Sequence, residues 1–167
     1  MEGGKVHSSL YIAMGGIIAA AYTALTMAFA PISFGPIQFR VSEALCILPY
    51  FTSAAVPGVT IGCFLSNLLC GAAPPDVIFG TLATLVGAVG SRMLRKHKYL
   101  VCIPPIVSNA VIIPWVLRYA YGAEELIPYL MLTVGIGEVM AVGVLGNLLL
   151  LAIEKGKGKV NYVSDRF

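Results

Sequence analysis

The fold class the sequence predicts is an all-α integral membrane protein, a bundle of six transmembrane helices forming one domain over residues 1–167. Three observations carry it. Hydrophobic residues make up 58% of the chain and charged residues only 11%, less than half the roughly 25% charged fraction of a soluble domain. Apolar runs approaching the ~20 residues needed to cross a bilayer fill most of the length. The basic residues fall in short connectors between those runs. Little chain remains for an extramembrane enzyme. The net charge of +3 does not mark a nucleic-acid partner, because the basic residues share no amphipathic face.

The first span is expected over residues 10–30. It is too long for a signal-peptide core and is read as a retained span. Pro31, Gly35 and Pro36 end it and shape a loop up to Arg40, with residues 31–39 a reasonable lid. The second span, 41–55, is short and carries Pro49. Pro57-Gly58 reads as a turn before the third span, 59–73. Pro74-Pro75 separates that span from the fourth, 76–94, with Asp76 at the expected N-cap. A basic connector follows: Arg92, Arg95, Lys96, His97 and Lys98. The fifth span, 99–121, contains Pro104, Pro105 and Pro114. Membrane helices tolerate proline where neighbours satisfy the freed carbonyls. The sixth span, 127–153, runs into a polar tail.

With six spans, Lys5, Arg92, Arg95, Lys96, Lys98, Lys155, Lys157, Lys159 and Arg166 share one side, and only Arg40 and Arg118 lie on the other. Basic connectors stay in the cytoplasm, so both termini are expected there, in a multi-pass protein of a bacterial cell membrane. Cys46, Cys63, Cys70 and Cys102 all fall in apolar runs without a CxxC pair or a zinc-type spacing, and read as small buried hydrophobes. No metal or cofactor is expected. Phosphate-loop and hydrolase signatures are absent from the sequence. Any active transport therefore needs a partner or an ion gradient.

Polar groups at membrane depth carry the functional information, because hydrocarbon penalises them. Glu138 sits near the middle of the last span. Its carboxylate suits paired N–H groups of a ligand, a proton, or an arginine; the bland reading is a helix tie. Glu43 stands three residues after Arg40, a spacing that lets them pair, whether as an anchor for the loop or as a ligand contact. Asn67 and Asn109 offer a donor and an acceptor each, for a heterocyclic edge or an interhelical bond. Asp76 reads first as a cap and second as a ligand contact. Arg40, Glu43, Asn67, Asp76, Asn109 and Glu138 all map to the outer half or the midplane, which suggests an outward-facing pocket for a small polar solute. Phe39, Phe79 and Trp115 are positioned to stack on a planar ligand, although Trp115 also fits an interfacial belt. In the first span Gly16, Ala20, Ala24 and Ala28 recur every four residues, a small-residue stripe that permits close helix approach. Asn147 is read as a helix-packing residue.

Several stretches resemble the QueT family: Gln38 to Leu45, Leu48 to Thr52, Ala54 to Gly58, Ile61-Gly62-Cys63, Asn67, Asp76 to Leu85, Asn109-Ala110 and Gly137-Glu138. The similarity extends over about residues 10–153. It implies the six-helix fold of an energy-coupling-factor S component, the substrate-binding subunit of an uptake transporter for queuosine precursors. It also implies one transmembrane coupling protein and two ATPase subunits as partners, with the first-helix stripe docking the coupling protein. The implied solute is a 7-deazaguanine in its cyano or aminomethyl form. A guanine-type edge presents two neighbouring N–H donors to one carboxylate, and the aminomethyl form adds a cation for a second. Glu138 and Glu43 are the candidates for those roles, with Asn67 and Asn109 reading the remaining ring polar atoms. The alternative from the residues alone is a stand-alone proton-coupled carrier or channel; a lipid-modifying enzyme is disfavoured by the lack of a catalytic cluster.

Overall fold

The computed structural model describes residues 3–33 and 39–157. Every described element is helical: α1 (Gly3–Ala28), the short α2 (Ala30–Ser33), a 3-10 helix (Val41–Tyr50), α3 (Ala55–Leu69), α4 (Pro74–Met93), α5 (Ile103–Ala120), α6 (Ile127–Glu138), a π segment (Val139–Gly146) and α7 (Asn147–Lys157). Four stretches are long and apolar enough to cross a membrane: 8–28, 74–93, 103–120 and the continuous run 127–156 through α6, the π segment and α7. The other two apolar helices are shorter. Ten residues of 3-10 helix reach roughly 20 Å, and the fifteen of α3 roughly 22 Å. Both fall short of the ~30 Å hydrocarbon core.

Burial is inverted relative to a water-soluble protein. Ile12, Ile17, Leu126 and Met93 lie on the outside, while Arg40, Glu43, Asn67, Asp76 and Glu138 are buried. Large apolar side chains face outward without penalty only where the solvent is hydrocarbon.

Such a solvent supplies no hydrophobic drive between helices, so close van der Waals approach must hold them. Glycines provide it. A Cβ on Gly62 of α3 would lie 2.6 Å from the Tyr22 Cβ and 2.9 Å from the Ala19 carbonyl of α1. One on Gly58 would lie 2.9 Å from the Gly15 carbonyl. Between α4 and α5 the same service comes from Gly87 and Gly90, which abut Pro105 and Pro104 at 2.7 and 2.5 Å. At the end of α3, Gly71 adopts φ +71°. Its N–H bonds to the Leu68 carbonyl at 3.2 Å and the Ala72 N–H to the Asn67 carbonyl at 2.9 Å, a Schellman closure that only glycine enters without strain.

Contacts gather one set of connectors at one end of the bundle. Tyr11 donates to the Ser53 carbonyl, Arg92 to the Pro49 carbonyl and Ser91 to the Val101 carbonyl. Lys98 and Glu154 form an ion pair. The hydrogen bond it donates to Glu154 holds the Lys98 ammonium above its ordinary pKa.

Several expectations need correction. Pro57-Gly58 is not a turn but part of the first turn of α3, which spans 55–69 rather than 59–73. Proline is tolerated there because the first N–H groups of a helix have no intrahelical acceptor. Pro104-Pro105 likewise open α5 instead of interrupting it, and residues 99–102 precede the helix. The N-cap of α4 is Ala73, leaving Asp76 inside the first turn and buried. Residues 34–38 of the expected lid, and the tail from 158 with Lys159 and Arg166, lie outside the described residues.

If glycine is what lets α1 meet α3, Gly62→Ala lowers stability by about 1–3 kcal/mol through overpacking. Gly16→Ala, whose added Cβ meets nothing, costs no stability and is expected to add up to about 1 kcal/mol through helix propensity. Thermal unfolding of the two variants in detergent checks the contrast.

Candidate functional site

The polar core is assembled from every long element. Arg40 precedes the 3-10 helix, and the Glu43 N–H closes onto the Arg40 carbonyl at 3.0 Å. Side chains three apart stack in line on a 3-10 helix. Arg40, Glu43, Cys46 and Pro49 therefore form one row, and all four are buried. The Arg40–Glu43 pair forms at 3.9 Å as the spacing anticipates, but it is buried rather than interfacial.

Glu43 is the hub. Tyr22 of α1 donates to Oε1, Thr84 of α4 donates to the same oxygen at 3.4 Å, and the Cys46 thiol donates to Oε2 at 2.9 Å. Both oxygens are thus engaged by the chain itself. Beside them sits the Cys63 sulfur of α3, which shares the one Thr84 proton with Glu43, at 3.3 Å, and receives Arg40 at 3.7 Å and Asn67 at 3.7 Å. Thr26 and Ser42 share a further hydrogen bond of 2.6 Å between α1 and the 3-10 helix.

Asn67 and Asp76 form the next layer. Asn67 Nδ2 donates to the Asp76 backbone carbonyl at 3.4 Å. That acceptor fixes the amide orientation and turns Oδ1 the other way. Asp76 Oδ2 receives the Tyr121 hydroxyl at 2.9 Å, and the Tyr121 oxygen accepts the Ala73 N–H at 3.1 Å. Burial pushes the Tyr121 phenol above its ordinary pKa, so at neutral pH it stays a proton donor. Gly80 lies between Asp76 and Thr84 on one face of α4. A Cβ there would come within 2.9 Å of Asp76 Oδ1 and 3.1 Å of Asn67 Nδ2.

Glu138 closes the arrangement where α6 passes into the π segment. It stands beside Asn109 and within electrostatic reach of Glu43 and Arg40. Four buried polar atoms in this core have no hydrogen-bond partner in the protein: Asn67 Oδ1, Asp76 Oδ1, Asn109 Nδ2 and Glu138 Oε2. Three accept and one donates. Buried polar atoms are nearly always partnered, and these four have no partner within the protein. A fifth such atom is Asn147 Oδ1, whose side chain gives its Nδ2 to the Gly143 carbonyl one turn back, at 2.6 Å. Among the described residues no three His, Cys, Asp or Glu side chains come together as a metal site.

Arg40, Glu43, Asn67, Asp76, Asn109 and Glu138 therefore meet in one core, but Phe79 and Trp115 do not join them. Both are about half exposed and line an apolar groove of about 440 Å³ between α4 and α5, with Pro75 and Tyr119. There Trp115 stacks on Tyr119, ring centres 6.2 Å apart. Phe39 is half-buried beside Arg40. Tyr22, Thr84, Cys63 and Cys46 were not singled out as site residues from the sequence. Their signal, a hydroxyl or thiol in an apolar run, is too common to stand out.

The stripe on α1 faces away from the core. Gly16, Ala20, Ala24 and Ala28 are all exposed, whereas Ala19, Tyr22 and Thr26 are buried. Tyr22→Phe strips one donor from a buried carboxylate and is expected to cost about 1–3 kcal/mol. Ala20→Leu, on the opposite face, is expected to leave the melting temperature unchanged. Thermal unfolding in detergent reads both.

A family model described as the QueT transporter matches residues 12–155. The Queuosine precursor transporter QueT of Lactococcus lactis subsp. cremoris (strain MG1363) is 46% identical over 88 residues, which are 52% of this chain and 50% of that protein. The chain thus spans about half the length of that relative in the match. No solved structure matches. A family match over nearly the whole chain, on a helical architecture with membrane-length apolar helices, shows that the chain belongs to the QueT transporter family.

Proposed function

We propose that this chain is the substrate-binding subunit of an ATP-driven energy-coupling-factor uptake transporter. It captures a queuosine precursor of the 7-deazaguanine type at the outer face and delivers it to the cytoplasm. The observation that carries the reading is the group of unpartnered atoms in the core, Glu138 Oε2 and Asn109 Nδ2 above all. A guanine-type edge offers adjacent N–H donors for the carboxylate and a ring carbonyl for the amide. The name of the Lactococcus relative agrees with that chemistry. Arg40 and Glu43 hold the site's frame, and Asn67 and Asp76 line its other side.

The chain crosses the bilayer six times, with the 3-10 helix and α3 as the two short crossings and both termini in the cytoplasm. The Lys98–Glu154 pair and the basic connector then lie on the cytoplasmic side. Energy comes from two ATPase subunits through a transmembrane coupling protein. The exposed stripe Gly16, Ala20, Ala24 and Ala28 is the docking face on α1, where small residues let a partner helix approach closely.

Calorimetry on the purified chain tests the reading, with aminomethyl- and cyano-7-deazaguanine as ligands and guanine and riboflavin as controls. Specific deazaguanine binding is expected, and Glu138→Gln is expected to weaken it about tenfold or more, the loss of a charge-assisted hydrogen bond. Absence of binding to folded protein overturns the substrate. Uptake in cells is expected to stop when the partner ATPases are inactivated; uptake that persists would favour a stand-alone carrier.

A further inference from the structure

A second charged region lies away from the polar core, where α4 hands over to α5. Residues 94–102 form a run of turns between the two helices. Arg95 and Lys96 stand exposed on these turns, and Lys155 stands exposed on α7. The Lys98–Glu154 ion pair ties the turns to α7 and so brings Lys155 to the same end. Among the described residues Glu154 is the one acid at this end. Glu43, Asp76 and Glu138 lie in the core, and Glu124 and Glu125 follow α5 at its other end. Lys98 neutralises Glu154, and Arg92 turns in to the Pro49 carbonyl. Arg95, Lys96 and Lys155 form no ion pair among the described residues. Three cations thus face outward with no acid of the chain to answer them. The same turns and the end of α4 expose apolar side chains: Met93 is 77% exposed, Tyr99 69% and Leu100 43%. Lys98 Nζ lies 5.6 Å from the centre of the Tyr99 ring, which sets ring and charges at one level. Cations interleaved with aromatic and apolar groups suit a bilayer boundary, where the apolar groups reach acyl chains and the cations stay with headgroups. A free phosphate or a soluble acidic protein would answer only the charges.

We infer that this end of the bundle is a docking surface for an anionic phospholipid. Arg95, Lys96 and Lys155 take the headgroup phosphate, and Met93, Tyr99 and Leu100 lie against the acyl chains. The surface is built without the polar core and stands independently of the deazaguanine reading. Charge complementarity selects the lipid: a zwitterionic headgroup carries its own ammonium beside the phosphate, whereas an anionic one leaves the phosphate to the protein. Each Lys or Arg at a membrane surface favours an anionic lipid about fivefold at low salt. Three together give on the order of a hundredfold before screening by salt.

Native mass spectrometry on the full chain in neutral detergent tests the inference, with phosphatidylglycerol and phosphatidylcholine of identical acyl chains. Wild type is expected to retain phosphatidylglycerol at least about tenfold more tightly, and the preference is expected to shrink as ionic strength rises. The triple variant Arg95→Gln, Lys96→Gln, Lys155→Gln breaks no ion pair among the described residues. It is expected to keep the wild-type melting temperature and to bind the two lipids within about threefold of each other. Glycerol phosphate, the headgroup without chains, and polyglutamate are each expected to leave phosphatidylglycerol in place at equal concentration. Equal binding of the two lipids by wild type overturns the inference without any variant, so it stays decidable if the triple variant does not fold. A preference that survives the triple variant puts the anion elsewhere and also overturns it. Displacement by glycerol phosphate would make this a site for free phosphate, and displacement by polyglutamate a surface for an acidic protein; either sinks the lipid assignment.

Discussion

The carboxylate of Glu43 is completely buried, and the core is built around it. A charge placed there must be answered by the chain, and the answers come from different elements: Tyr22 from α1, Cys46 and Arg40 from the 3-10 region, Thr84 from α4. Each donor fixes the rotation of the helix that carries it. Once Tyr22 points inward, α1 has a defined face against α3, and Gly58 and Gly62 must be glycines to let it lie so close. Once Thr84 points inward, Asp76 and Gly80 lie along the same face of α4, and Asp76 meets Asn67. The polar network thus does what a hydrophobic core does in water. It specifies one arrangement of helices that the lipid solvent by itself would not select.

The same network separates what is structural from what is available. Glu43 and Cys63 receive enough donors to be closed, whereas Asn67, Asp76, Asn109 and Glu138 each keep one open atom. Four orphans in a single core are a large departure from the usual satisfaction of buried polar groups. A bundle built only for stability would have replaced these side chains by apolar ones of similar volume, which packs as well without the desolvation penalty. Their retention fits a core whose polar complement arrives from outside the chain.

Much of this was legible in the sequence because hydrocarbon makes polarity informative. The depth of Arg40, Glu43, Asn67, Asp76, Asn109 and Glu138 follows from position along an apolar run. What depth cannot give is direction around the helix, which turns about 100° per residue. Phe79 and Trp115 are at a suitable depth, yet both point outward to the groove between α4 and α5. On α1 two small-residue rows run side by side, Gly15 with Ala19 and Gly16 with Ala20. Spacing does not say which packs inside, and the inward row is set by Tyr22 and Thr26. The buried thiols illustrate the opposite limit. Cys46 and Cys63 are buried as their apolar runs suggest, but they work as a donor and an acceptor in the polar core. Composition treats a cysteine as a small hydrophobe and does not register its hydrogen bond.

Irregular backbone is concentrated where the polar core lies. Glu43 enters on a 3-10 helix, and Glu138 enters at the start of a π segment. These two segments pack on one another, with Gly146 set so that a Cβ would stand 3.4 Å from the Ala44 carbonyl. A 3-10 helix is narrower than an α-helix and a π segment wider, and here the one packs against the other. Departures from regular helix at membrane depth are tolerated only against protein or a polar cavity. Here both face the cluster that holds the open carboxylate of Glu138. The 3-10 row brings Arg40 and Glu43 into line, and the π segment begins immediately after the residue that must present an unpaired oxygen. The irregular backbone and the unpartnered polar atoms therefore fall in the same region of the bundle.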